Sequence, residues 1–141
     1  MSMTATGIFI PVGLLVLWTL VILLVVGLMR LRAVRQREMS LGFYELYRDG
    51  EEPARLAVLG RHFHNLLEIP VLFYLAAITA YAIGAADEMM VWLAWGFLAS
   101  RLLHSAIHLT RNDVRQRFTV FLLGVILLAV MWVRILMHLL G

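Results

Sequence analysis

The stretch GIFIPVGLLVLWTLVILLVVGLM, at residues 7–29, contains no ionisable side chain. At about 1.5 Å of rise per residue, a helix of this length exceeds the roughly 30 Å hydrocarbon core of a bilayer. A cleavable signal peptide is the alternative, but signal peptides carry positive charge before the apolar run, whereas Arg30 and Arg32 follow it here. We therefore predict that residues 7–29 form the first of several membrane-spanning helices.

The composition is that of a membrane protein. Of 141 residues, 62% are hydrophobic and 15% are charged, which is far outside the range of soluble globular domains. All 12 basic residues are arginine, and they cluster at the ends of apolar runs, which suits lipid headgroups better than nucleic acid. Cysteine is absent, which excludes a disulfide, a thiolate metal site and a cysteine nucleophile. We expect membrane lipids, and no nucleic acid, as partners.

Three more apolar segments follow, at about residues 59–86, 89–110 and 114–140. Backbone polar groups in lipid must be satisfied within the segment, so these spans are predicted to be helices. Residues 30–58 are polar and connect the first two spans. The predicted fold class is therefore all-α: a single domain, residues 1–141, whose four antiparallel helices form an integral membrane bundle.

The arginines are unevenly distributed among the connections. The first and third connections are rich in arginine, whereas the second connection and the N-terminus have none. The arginines in question are Arg30, Arg32, Arg35, Arg37, Arg48, Arg55, Arg111, Arg115 and Arg117. The positive-inside rule then places these connections in the cytoplasm and both termini on the non-cytoplasmic side. Most of these side chains are expected to snorkel to headgroups, as is Arg134 near the opposite end. An arginine-only basic set is typical of GC-rich bacterial genomes, so we expect a bacterial inner membrane.

Ionisable and other polar residues inside the predicted spans, or directly next to them, recur at helical spacing. Such residues are costly in lipid and usually face a bundle interior or a wet cavity. The residues are Arg61, His64, Asn65 and Glu68 on one face of the second span, Arg101, His104 and His108 on one face of the third, Arg30 at the end of the first and Arg117 at the start of the fourth. Because neighbouring spans are antiparallel, we predict that these residues form one polar layer near the cytoplasmic side.

Several interpretations of this polar layer remain open. The histidines and Glu68 could make interhelical hydrogen bonds that only hold the bundle together. Glu68 and Arg101 lie too deep to reach water easily, so they form either a structural ion pair or a pair that binds a ligand. A zinc or iron site is a further alternative, with three nitrogens and one carboxylate from His64, Glu68, His104 and His108.

Three motifs in these spans resemble those of a known superfamily. The stretch RHFHNLLEIP at residues 61–70 resembles a second-helix motif, and RLLH at 101–104, continued to Arg117, resembles a third-helix motif with its following arginine. GLMRLR at 27–32 is similar to the end of the first helix in prostaglandin E synthases. The family in question is the MAPEG superfamily, the membrane-associated proteins of eicosanoid and glutathione metabolism. The resemblance spans nearly the whole chain.

This resemblance implies a homotrimer that binds glutathione between neighbouring protomers near the cytoplasmic face. Arg117 matches an arginine that stabilises the glutathione thiolate. The residues expected to hold the tripeptide or shape its pocket are Arg30, Arg61, His64, Asn65, Glu68, Arg101, His104 and His108. The expected activity is that of a glutathione transferase or peroxidase, which conjugates or reduces a small lipophilic electrophile arriving through the bilayer.

Some positions depart from the family pattern. His64 stands where several glutathione-using members have arginine, and His108 stands where they have tyrosine. Pro70 follows Glu68 more closely than in the eicosanoid enzymes. These features resemble a divergent bacterial branch. They also motivate an alternative function, a non-catalytic membrane scaffold or lipid-binding protein that keeps the fold without the chemistry.

Overall fold

The structure is a computed structural model that describes residues 5–46 and 52–141; Arg48 of the first connection lies outside them. Within these residues a short 3₁₀ turn, Ala5–Ile8, leads into five α-helices and no strand. The helices are α1 (Phe9–Arg35), α2 (Leu41–Leu46), α3 (Ala54–Ala82), α4 (Glu88–Leu109) and α5 (Val114–Leu140). The predicted all-α fold class is confirmed.

Four of these helices, α1, α3, α4 and α5, are long and apolar enough to cross a membrane. Two of them begin or end outside the predicted spans. α1 continues past Met29 to Arg35, where Arg32 and Arg35 in its last turn favour the negative end of the helix dipole. α3 begins at Ala54, directly after Pro53, rather than near Leu59. An α-helix can extend beyond the hydrocarbon core because its backbone hydrogen bonds form within the helix itself, in water as well as in lipid.

α3 ends four residues before the predicted boundary at Ala86, because of Gly84. Gly84 has a φ of 76°, a left-handed conformation that glycine adopts without steric cost. Its N–H donates to the Tyr81 carbonyl, and the N–H of Ala85 donates to the Ala80 carbonyl at 2.8 Å. This pair of bonds is a Schellman motif, which satisfies the last carbonyls of the helix and turns the chain into α4.

The four long helices run alternately in opposite directions. The rings of Phe9 and Tyr81 meet edge to face at 5.0 Å, so the start of α1 lies beside the end of α3. α4 packs against α1, α3 and α5, and α5 also packs against α3. One end of the bundle therefore contains the end of α1, the start of α3, the end of α4 and the start of α5. We call this the arginine-rich end.

All four long helices contribute to the core, and α3 and α4 supply most of its buried residues. The rings of Phe73 and Phe97 are fully buried and stack at 4.4 Å between centroids. Buried alanines on both helices, among them Ala77 and Ala94, allow the backbones to approach closely, as is usual for helices packed in a membrane. The outer faces instead carry exposed leucines such as Leu24, which suits contact with lipid.

Asp87 joins two helices at the end of the bundle opposite the arginine-rich end. Its Oδ1 accepts from the backbone N–H of Met90 at 2.8 Å and so caps the start of α4. Its Oδ2 pairs with Arg134 Nη2 of α5 at 2.5 Å. Arg134, predicted to reach outward to headgroups, is instead held against this loop.

We expect Asp87→Ala to lower the free energy of unfolding by about 1–2 kcal/mol, because it removes a helix cap and a partly exposed ion pair. Asp113→Ala is the matched control, since Asp113 caps α5 through Gln116 N at 2.8 Å without forming an ion pair among the described residues. Asp87→Asn should keep the cap and cost less than about 1 kcal/mol. Unfolding in mixed detergent measures all three; equal costs for Asp87→Asn and Asp87→Ala would contradict the capping role.

Candidate functional site

The polar residues predicted on one face of α3 do share a face, and it lies on the outside of the protomer. Arg61, His64 and Glu68 are exposed, and Asn65 is partly buried. Because α3 begins at Ala54, Glu68 is near the middle of the helix, deeper than its predicted position two turns from the helix start. Among the ion pairs of the described residues, none contains Glu68. The structural pair with Arg101, one of two open alternatives, is therefore not formed within the protomer.

Arg101 is buried between α4 and α5, with only 2% of its surface exposed. Its guanidinium carbon lies 5.2 Å from the centre of the Phe97 ring and 5.3 Å from that of the Phe121 ring. Its Nη2 donates to the Phe121 carbonyl at 3.1 Å, while its Nε has no hydrogen-bond partner in the described part of the chain. Aromatic faces and one carbonyl thus take the place of a carboxylate partner.

Arg117, the predicted catalytic residue, is held by the turn between α4 and α5. Its Nη1 donates to Nε2 of His108 at 3.2 Å and to Oδ1 of Asn112. Asn112 adopts a φ of 52°, a left-handed conformation that asparagine tolerates better than most residues. The carbonyl of Arg117 accepts from Nδ1 of His104 at 3.2 Å. The sequence-predicted residues Arg117, His104 and His108 are thereby brought together.

Two cavities flank the outer face of α3 at the arginine-rich end, and we call them the polar cavities because charged and polar side chains line them together with apolar ones. One, of about 180 Å³, is lined by Asn65, His104, Val114, Arg117, Phe118 and Phe121. The other, of about 470 Å³, is lined by Arg30, Glu52, Ala57, Gly60, Arg61 and His64. In the second cavity Nε of Arg30 pairs with Oε1 of Glu52 at 3.3 Å. Guanidinium groups from three helices line these cavities, which favours an anionic ligand.

A third and largely apolar cavity, of about 620 Å³, lies between α1, α3 and α4. Trp18, Ile22, Val25 and Leu59 contribute to its apolar walls. His108 and Asn112 also line it, and they are the two residues that hold the Arg117 guanidinium. The partners of Arg117 therefore line a largely apolar cavity, while Arg117 itself lines a separate cavity with Asn65 and His104.

One buried ionisable residue in the described part of the chain was not predicted from the sequence. His62 has no exposed surface and lies between two α4 histidines, 5.0 Å from His108 and 6.4 Å from His104 between ring centroids. The sequence spacing could have predicted that His62 is buried, since position 62 falls on the same helix face as the buried Leu59 and Leu66. A histidine on an apolar face indicates a buried polar contact rather than a surface one.

The residues of the alternative metal site are not brought together. His64 and Glu68 lie on the outer face of α3, whereas His104 and His108 are buried against α3 from the other side. Across residues 5–46 and 52–141, no group of three or more histidine, cysteine, aspartate or glutamate side chains is arranged to hold a metal ion. The predicted four-ligand set is therefore split between two surfaces.

Comparison with known proteins identifies the family of the chain. Searches among curated proteins and among solved structures found no match. A sequence model described as the MAPEG family matches residues 8–137, which cover nearly all of the four candidate membrane spans and every candidate site residue. On that match over nearly its whole length, the chain belongs to the MAPEG family.

Proposed function

We propose that this protein binds glutathione, or a related thiol, at the arginine-rich end and transfers it to lipophilic electrophiles, or uses it to reduce them. The observation that carries this proposal is the position of Arg117. Its guanidinium lines a polar cavity, and the two side chains that hold it line an apolar one. A thiolate stabilised at this guanidinium would lie close to an apolar partner.

The residues present fit the chemistry of glutathione. The tripeptide carries two carboxylates and one ammonium group, which suit arginines and a single carboxylate respectively. Arg30, Arg61 and Arg117 line the two polar cavities, and Glu68 lies one helix turn beyond Asn65 on the same face. The buried Nε–H of Arg117 has no hydrogen-bond partner among the described residues.

The size of the polar cavities supports a site shared between copies of the chain. The cavity at Arg117 holds about 180 Å³, below the roughly 300 Å³ at which ligand pockets typically begin. An extended tripeptide would therefore run along the outer face of α3 and join both cavities. Arg61, His64 and Glu68 are exposed on that face, and exposing charged groups to lipid is costly. A neighbouring protomer covering this face would remove that cost, as in the homotrimer that the resemblance implies.

When bound, glutathione supplies a thiol whose deprotonated form is the nucleophile. The role of this protein's residues is to favour that form and to orient it. Arg117 provides positive charge and N–H donors, and His108 and Asn112 fix the guanidinium in place. Asn65 lines the same cavity and provides both a donor and an acceptor for the peptide.

The second substrate is proposed to be a small lipophilic electrophile that enters from the bilayer. The cavity between α1, α3 and α4 has the volume and apolar lining typical of such ligands, which usually occupy about 300–1,000 Å³. The same proposal keeps the arginine-rich end on the cytoplasmic side, where glutathione would be supplied, and both termini outside, in a bacterial inner membrane.

Titration calorimetry of the detergent-solubilised protein with glutathione tests this function. We expect millimolar or tighter binding, and a loss of affinity of about tenfold in Arg117→Ala, equivalent to about 1.4 kcal/mol. Arg115→Ala is the matched control, because Arg115 is exposed on the same helix and lines none of these three cavities. Absence of binding by the unmodified protein would remove the proposal, and equal weakening by both substitutions would remove the role of Arg117.

A further inference from the structure

His62 is a buried histidine to which the proposed reaction gives no role. Its side chain is fully enclosed, and neither of its ring nitrogens has a hydrogen-bond partner among the described residues. Buried polar atoms rarely lack a hydrogen-bond partner. Where no protein group is within reach, an ordered water molecule usually takes that place. The other histidines around it, His104 and His108, each have one unpartnered ring nitrogen as well.

The contacts of these other histidines show where their ring protons lie in the structure. A guanidinium only donates, so Nε2 of His108 accepts from Arg117 Nη1, and the ring proton of His108 is on Nδ1. A carbonyl only accepts, so Nδ1 of His104 donates to the Arg117 carbonyl, and in the neutral ring Nε2 then carries a lone pair. One unpartnered donor, His108 Nδ1–H, and one unpartnered acceptor, His104 Nε2, therefore remain in the buried cluster.

A neutral histidine at position 62 offers what these two atoms lack, namely one acceptor nitrogen and one N–H donor. We propose that His62 completes a closed hydrogen-bond relay. In this relay His108 Nδ1–H donates to His62, and His62 donates to Nε2 of His104. His104 Nδ1–H donates to the backbone carbonyl of Arg117, and the guanidinium of the same residue donates to His108. Because none of these nitrogens bonds directly to another in the structure, the two links of His62 pass through bridging water, which the ring separations of 5.0 Å and 6.4 Å allow.

The relay makes His62 a positioning residue for Arg117, a role that rests on the proposed function. If His108 carried its proton on Nε2, that N–H would point at the guanidinium, and two donors would face each other. With the proton kept on Nδ1, the lone pair of Nε2 holds Arg117 Nη1, next to Oδ1 of Asn112. His62 thereby helps to aim the cation that would stabilise the thiolate, without touching either substrate.

Nitrogen-15 NMR of the histidine side chains, with the full chain in detergent micelles, reads the tautomers directly and needs no glutathione. In the unmodified protein we expect His104 and His108 in the Nδ1–H form. His62→Phe keeps a ring but provides no donor or acceptor, so His108 should become a mixture of tautomers. His62→Gln provides a donor and an acceptor and should restore the Nδ1–H form. His138→Phe, at the opposite end of the bundle, is the spectral control.

The same variants test the link to Arg117 by rate measurements. Thiol transfer should fall by about tenfold in His62→Phe, the equivalent of one hydrogen bond, and recover in His62→Gln. A folded His62→Phe protein with both tautomers unchanged would overturn the relay, as would an Nε2–H form of either α4 histidine in the unmodified protein. If His62→Phe fails to fold, His62→Leu, which also lacks a donor and an acceptor, takes its place in both measurements. Correct tautomers without any thiol transfer would count against the proposed function and leave the relay standing.

Discussion

Replacing Arg117 by alanine should slow the proposed thiol transfer by about 10²–10³-fold, the usual loss when a fixed group that stabilises developing charge is removed. The guanidinium is fixed before any ligand arrives, because its Nη1 is bound to His108 and Asn112. A preorganised cation stabilises a thiolate more than mobile water does, since no dipoles have to reorient during the reaction. Alanine leaves the backbone carbonyl of Arg117 available to His104, so the end of the bundle should keep its structure.

Two further variants separate charge from geometry at this position. Arg117→Lys keeps the positive charge but has neither the planar fork nor its fixed spacing, so its rate should lie between those of the alanine variant and the unmodified protein. Arg115→Ala, an exposed position on the same helix, should retain full activity. Rates with a general electrophile and saturating glutathione give the comparison. An alanine variant that retains more than about a tenth of the rate would show that Arg117 does not stabilise the reacting thiolate.

The membrane fold follows from features that a sequence shows directly. Residues 7–29 contain no ionisable side chain, and the requirement for internal backbone hydrogen bonds leaves only helices for such a run. The position of a residue along the bundle axis can also be predicted from the sequence, because helices that alternate in direction place the arginine-rich connections at one end. That is why Arg117, His104 and His108 could be predicted to lie together, and the structure joins them by hydrogen bonds.

The lateral direction of a side chain is harder to predict than its depth. Arg61, His64 and Glu68 share a face by spacing alone, yet spacing does not say which neighbour that face meets. In the structure it faces outward, away from Arg101, so the predicted polar layer is divided between the interior and the outer surface of the protomer. His62 was missed for the related reason that its neighbours in sequence belong to the outward face, while its own side chain points inward. The early end of α3 depends on a single left-handed glycine, Gly84, within an otherwise apolar run.

Gly124→Ala should lower the free energy of unfolding by about 1–3 kcal/mol, although alanine is the better helix former by about 0.5–1 kcal/mol. The reason is the path of Arg101 across α5. A Cβ at position 124 would lie 2.6 Å from Ser100 Oγ and 3.0 Å from the guanidinium carbon of Arg101, and closer still to its Nη2. The end of an arginine side chain usually moves aside easily. Here two aromatic rings and the Phe121 carbonyl hold it, so moving it forfeits those contacts.

Gly13→Ala provides the matched control, because a Cβ there meets nothing within 4 Å. It should leave stability unchanged or raise it by up to about 1 kcal/mol. A double-mutant cycle with Arg101→Met then identifies the steric partner. Methionine removes the guanidinium without leaving an unpaired buried charge, so Gly124→Ala should cost at least about 1 kcal/mol less in the Arg101→Met background. Unfolding in mixed detergent measures the cycle. If the costs of the two substitutions are additive, the cost of Gly124→Ala does not come from Arg101 lying across Gly124.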